Sequence, residues 1–148
     1  MVSHILVAVD GSTHGDQALA FACDLAIKYQ AEMTILNVVS YASTVPLALG
    51  AYAELEGLYA ESRSVLQDAG DKIVANAAEQ ASRLGVENVT PVVELGSPAQ
   101  AICDTADAIG ADVIVMGRRG LSDFTGFFLG SISHKVAHSA DCTVITVK

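Results

Sequence analysis

Apolar residues along this chain fall into short unbroken runs, and between the runs they recur every third or fourth place. The runs are "HILVAVD" (4–10), "EMTILNVV" (32–39), "NVTPVVEL" (88–95), "ADVIVMG" (111–117) and "CTVITV" (142–147). Runs of this length without alternation read as strands buried on both faces, as in a parallel sheet. After the first run, Ser12 and Thr13 offer N-caps to a helix that turns Leu19, Ala22, Cys23 and Ala26 inward. From about residue 58 to 84, Leu66, Ala69, Ile73, Ala77 and Leu84 mark one face of a long helix that Gly85 stops. In "SPAQAICDTADAIG", Ser97 is a candidate N-cap, Pro98 takes the first helical position and Gln100 completes a capping box. Ile102, Ala106 and Ile109 then face the core, and Gly110 ends that helix. A short last helix turns Ile132 and Val136 inward. Residues 40–57, with Pro46 and two glycines, show no clean period and read as a loop; a lid and a plain irregular connection both fit.

Strand and helix alternate throughout, so the expected fold is α/β, a five-stranded parallel sheet with helices on both faces. Pro91 cannot donate to a ladder and puts its strand at a sheet edge. With right-handed crossovers, the economical strand order is 3-2-1-4-5. At 148 residues, without an internal repeat or linker, residues 1–148 are expected to form one domain.

Charge narrows the partners. A net charge of −9 repels phosphate backbones and anionic lipid, so neither nucleic acid nor membrane is expected. A nucleotide stays open where a local site overrides the global field. The first apolar run is too short for a signal peptide, and no apolar segment approaches the ~20 residues that cross a bilayer. A cytoplasmic location is the expectation. Cys23, Cys103 and Cys142 lie far apart without CxxC spacing and read as reduced core thiols.

In an open parallel sheet, ligands bind beyond the carboxyl ends of the strands where the strand order reverses. For order 3-2-1-4-5 that point lies between strands one and four, whose ends are Asp10-Gly11 and Met116-Gly117. Directly there begins "GRRGLSDFTGFFLGSIS" (117–133). It contains no GxxxxGK[ST], and the first turn lacks GxGxxG. What it does contain is Gly117-x2-Gly120-x9-Gly130-Ser131 at the entry to a helix. Gly117 and Gly120 would let the backbone approach a sugar or phosphate closely. Gly130, Ser131 and Ile132 would offer N–H groups at a helix N-terminus, with the hydroxyls of Ser131 and Ser133 as further donors. Arg118 and Arg119 would offset the acidity locally. On spacing alone a second reading stands beside this one: a glycine-rich connection with solvated arginines.

The sequence resembles the universal stress proteins of the UspA-like kind along its whole length. The likeness runs from "ILVAVDGS" through "ADVIVMGRRG" to "LGSISHKVAHSADCTVITV". It includes the G-x2-G-x9-G-[ST] motif of the ATP-binding branch. The resemblance implies a Rossmann-like three-layer fold, a homodimer and a stress-linked regulatory role. It also implies ATP with Mg2+ as cofactors. Asp10 would then lie beside the nucleotide, where it could hold Mg2+ or a ribose hydroxyl. Val38 would contact adenine, with Ala8 and Val9 nearby, and Met116 and Gly117 would line base and ribose. Gly120 would form the ribose–phosphate turn, and Gly130, Ser131 and Ile132 would receive the phosphates. Where the family often has Val, this chain has Ile132, which keeps the backbone donor.

Other constellations carry less. His134 and His138 have a metal-like spacing but lack the glutamate of HExxH and a third ligand, and read as helix-surface histidines. There is no GxSxG elbow. Phe127 and Phe128 could stack on a base, or could pack their loop onto the body or meet a partner, and these readings stay open. The parts at the crevice favour ATP as a switch ligand that orders residues 121–129 over rapid phosphoryl transfer, with a slow ATPase or autophosphorylating enzyme as the alternative. A scaffold with an empty site is a third option. The last strand, "TVITV", has no internal lysine or proline to blunt a sheet edge, so a homodimer through it is expected, beside an unidentified protein partner.

Overall fold

The computed structural model describes residues 1–40, 52–120 and 130–148, with the backbone alone for 52–62. Strands β1 (His4–Ala8), β2 (Glu32–Val39), β3 (Val89–Leu95), β4 (Val113–Gly117) and β5 (Thr143–Val147) alternate with helices. The helices are α1 (Thr13–Tyr29), α2 (Tyr52–Leu84), α3 (Pro98–Ile109) and α4 (Ser131–Ser139). The strands are all parallel, in the order β3-β2-β1-β4-β5. Pro91 sits in the edge strand, as its missing N–H requires.

Period-two alternation splits the apolar runs between two cores. Ile5, Val7, Met33, Ile35, Val113 and Val115 face α1 and α2. Leu6, Leu36, Ile114 and Met116 face α3 and α4, where they meet Ile102, Ala106 and Val136. Because both faces of β1, β2 and β4 are covered, their side chains are almost wholly buried, and polar chemistry is left to the strand ends.

Several local expectations need correction. The long helix begins at Tyr52, not near residue 58. Its first turns, "YAELEGLYAES", are rich in good helix formers that outweigh the cost of Gly57, about 1 kcal/mol. Residues 41–51 lie outside the described residues. The buried face of α2 is Gly70, Val74, Ala77 and Ala81, while Ala69 and Leu84 are exposed. Gly70 sets that rotation. A Cβ there would lie 2.9 Å from Val93 Cγ1 and 3.0 Å from both Val39 Cγ2 and Asn37 Oδ1. The capping box of α3 does not form: Ser97 makes no side-chain cap bond, and Gln100 Nε2 donates to Asp104 Oδ1 instead. Helix α1 does receive its cap, with Ser12 Oγ accepting from Gly15 N–H at 3.1 Å.

At the amino ends of the strands, Asp112 Oδ2 accepts from Ser3 N–H at 2.7 Å, Ser3 Oγ at 2.8 Å and His4 N–H at 3.0 Å. These bonds hold its carboxyl down at about 2. They tie the start of β1 to the start of β4.

Candidate ligand cavity at the strand ends

Where the sheet order reverses, the chains leaving β1 and β4 must part, and a crevice opens between them. Here it is a cavity of about 330 Å³ above the carboxyl ends of β1, β2 and β4. That is within the range of small-molecule sites. Its floor is apolar: Ala8, Leu36, Val38, Ile102 and Met116. The N-terminus of α4 closes one end with Gly130, Ile132 and Ser133.

Of the residues singled out in the sequence, Ala8, Val9, Asp10, Val38, Met116, Gly117, Arg119, Gly120, Gly130, Ile132 and Ser133 line the cavity. Arg118 and Ser131 do not. Gly15, Leu36, Asn37, Ser40, Pro98 and Ile102 line it without having been foreseen. Asn37 carried a signal, since it is the one amide side chain within the largely apolar run 32–39. The others come from helices and strand ends that only the tertiary fold brings round.

Gly117 and Gly120 also have a role within the protein itself. A Cβ on Gly117 would stand 2.8 Å from His14 Cβ, so this glycine lets the first turn of α1 press onto β4. A Cβ on Gly120 would stand 2.8 Å from Asp10 Oδ2. Both residues therefore close the chain around the turn after β1, before any ligand is considered. Asp10 is held in that turn, with Oδ1 accepting from Ser12 N–H at 3.0 Å and from Ser12 Oγ.

The donor set at α4 also narrows. Gly130 N–H donates to Arg118 O at 2.9 Å, and the buried Ser133 hydroxyl sits 2.9 Å from Arg118 O and 3.0 Å from Gly130 O. Neither group is spare, contrary to the sequence reading. Together they pin the ends of the glycine-rich stretch to each other, and Arg118 N–H anchors it to Val147 O at 2.7 Å. The N–H groups of Ser131, Ile132 and Ser133, in the first turn of α4, have no acceptor within the helix. Arg118 Nε and Arg119 Nε are buried without a hydrogen-bond partner among the described residues, and of the two arginines only Arg119 lines the cavity. Such groups are costly to leave unsatisfied, and Arg119 with the Ile132 and Ser133 amides makes this end of the cavity hospitable to an anion.

Chemistry elsewhere is sparse. His134 and His138 are exposed on α4, and the described residues hold no group of three or more His, Cys, Asp or Glu side chains placed for a metal ion. Burial pushes the Cys23 thiol up to about 11, with Asp24 adding to the shift, and raises Cys103 and Cys142 as well. No described helix is long and apolar enough to cross a membrane. Phe127 and Phe128, and the stretch 121–129 around them, lie outside the described residues.

The sequence model of the universal stress protein family matches residues 1–148. The chain is 38% identical to universal stress protein YxiE of Bacillus subtilis over 149 residues, covering all of both chains. Among solved structures, universal stress protein UspA from Lactobacillus plantarum superposes with a TM-score of 0.86 at 25% identity, over 99% of this chain and 98% of that one. A universal stress protein in complex with cAMP shares the fold with a TM-score of 0.75 at 24% identity, over 99% of this chain and 97% of that one.

Proposed function

The chain belongs to the universal stress protein family, and from that premise we propose that it is a nucleotide-binding regulatory module that takes ATP with Mg2+ at the strand ends. The observation that carries this reading is the two-ended character of the cavity. An apolar slot of Ala8, Leu36, Val38, Ile102 and Met116 suits the faces of a purine. The first turn of α4 and the guanidinium of Arg119 suit phosphate charge. A cyclic nucleotide in a neighbour of the same fold agrees with it.

Asp10 is the carboxylate at the cavity wall, and Mg2+ is commonly held by one or two carboxylates together with substrate phosphates. The residues present fit that arrangement, in which the cation would neutralise phosphate charge. Efficient phosphoryl transfer also needs a positioned nucleophile and a residue to orient it. Asp10 Oδ1 is already engaged by Ser12, the Asn37 amide by Val9 O and the Ser133 hydroxyl by main-chain carbonyls, and Asp10 is the one carboxylate among the lining residues. This favours binding over turnover. ATP then acts as a switch whose bound state a protein partner reads, in the cytoplasm.

Assembly through β5 completes the proposal. Val147 O and Thr143 N–H bond toward β4, so by alternation the amides of Val144 and Thr146 point away from the sheet. An edge of this kind recruits a second copy.

Gly130→Val tests the site. Gly130 has φ −60° and ψ 156°, which any residue adopts, and it lines the cavity at the start of α4. Calorimetry should show ATP binding lost with the melting temperature unchanged. Unaltered affinity would refute the assignment, and turnover of ~1 per second or more would refute the switch reading.

A further inference from the structure

The β1–β2 ladder stops one bond short where it meets the cavity. Along β2 the main chain alternates. Glu32 N–H donates to Ser3 O and Leu36 O accepts from Val9 N–H, both toward β1. Met33 N–H donates to Asn88 O and Val39 O accepts from Gly96 N–H, both toward β3. The N–H and C=O of Val38 therefore point at β1. In this register the next bond would run from Val38 N–H to Val9 O. It is not made. Val9 O accepts from Asn37 Nδ2 at 2.8 Å, and no backbone bond among the described residues takes up Val38 N–H.

We propose that Asn37 is a positioning residue for the ligand's base: it satisfies Val9 O with its side chain, ends the ladder early, and leaves the Val38 main chain open to the cavity. Asn37, Val38 and Val9 all line that cavity, and Asn37 is buried. A buried carbonyl needs a donor. Without the Asn37 amide, the donor in register is Val38 N–H, and taking it would zip the gap shut. Gly70 makes room for the device, because a Cβ there would crowd Asn37 Oδ1 at 3.0 Å. The freed pair is an N–H and a C=O on one residue. It matches a base edge that carries a ring acceptor next to an exocyclic amine, as adenine does. The proposal rests on the nucleotide reading and adds the residue that makes the base end selective.

Amide exchange followed by NMR, with and without Mg-ATP, tests it on the wild-type protein. In the free protein, Val38 should exchange at least about tenfold faster than Leu36, whose amide lies within the ladder, and Mg-ATP should slow Val38 selectively. Asn37→Leu keeps the branching and the number of side-chain heavy atoms and removes the donor. In that variant Val38 should become protected without nucleotide, and ATP affinity should fall about tenfold or more, as expected for two lost hydrogen bonds. If Asn37→Leu does not fold, the wild-type comparison decides alone. Val38 as protected as Leu36 in the free protein, or ATP binding that leaves Val38 exchange unchanged, would overturn the role of Asn37 only. No ATP binding by the wild type would overturn the nucleotide reading and this proposal with it.

Discussion

Replacing Gly70 by alanine pits two effects of opposite sign against each other. In a helix interior Ala is favoured over Gly by about 1 kcal/mol, and Gly70 lies well inside α2. Propensity alone would make Gly70→Ala stabilising. The packing argues the other way. The new methyl would meet Val93 Cγ1 at 2.9 Å and both Val39 Cγ2 and Asn37 Oδ1 at 3.0 Å. Two of these atoms belong to β-branched side chains on strands, which have little rotamer freedom. The third belongs to an amide fixed by its bond to Val9 O. None can step aside cheaply, so helix and sheet must separate by a few tenths of an ångström. Overpacking of this kind costs about 1–3 kcal/mol.

The balance is a net destabilisation of about 1 kcal/mol, corresponding to a fall of roughly 2–4 °C in melting temperature for a chain of this size. Asn76→Ala, at an exposed position on the same helix, supplies a propensity gain without the contacts and should raise stability slightly. Urea denaturation of both variants, with unchanged slope, is the assay. A Gly70→Ala protein more stable than the wild type would refute the claim that this glycine seats α2 on β2 and β3. Because Asn37 is one of the crowded groups, Gly70→Ala should also weaken nucleotide binding, whereas Asn76→Ala should not.

Three further outcomes are expected. The Asp112 carboxyl is depressed from 3.8 to about 2 by the Ser3 and His4 main-chain donors and the Ser3 hydroxyl, so its stabilisation is present above about pH 4 and lost as pH falls through 2. Urea midpoints of wild type and Asp112→Asn should therefore differ at pH 6 and converge near pH 2; a constant gap would contradict this. With Cys23 at about 11 and Cys103 also raised, and both buried, a thiol reagent at pH 8 should label these two far more slowly in the native protein than in the urea-unfolded one, and equal rates would count against buried, protonated thiols. Thr146→Pro removes an outward-pointing edge N–H without breaking the β4 ladder. Light scattering should find a wild-type dimer and a monomeric, folded variant, and a dimeric variant would move the interface away from β5.

The sheet could be read from the sequence because its information is local. Five apolar runs gave five strands, and one proline placed β3 at the edge and so set the order. The crevice followed from that order, and the glycine spacing marked it. Details that depend on three-dimensional neighbours were not legible. Ser97, Pro98 and Gln100 have the right spacing for a capping box, yet Asp104 one turn on captures the glutamine. Gln30 ends α1 in the left-handed region at φ 54°, donating its N–H back to the α1 carbonyls of Ala26 and Ile27, although glycine is the usual residue there. Gly117 and Gly120 were read as making room for a ligand; they line the cavity and also make room for His14 and Asp10, which the sequence did not show. Ser133 was read as a donor to phosphate, and its hydroxyl instead lies against the carbonyls of Arg118 and Gly130. In each case the residue type was informative and its partner was not.

The central claim, a nucleotide seated between the apolar strand ends and the first turn of α4, is tested most directly by an NMR titration of the wild-type protein with Mg-ATP. Saturable shifts should concentrate at Val38, Gly117, Arg119, Gly120, Ile132 and Ser133, which line the cavity, and the strand starts around Ser3 and Asp112 should stay still. A spectrum unchanged at millimolar nucleotide, or shifts confined to surfaces away from the strand ends, would contradict the account.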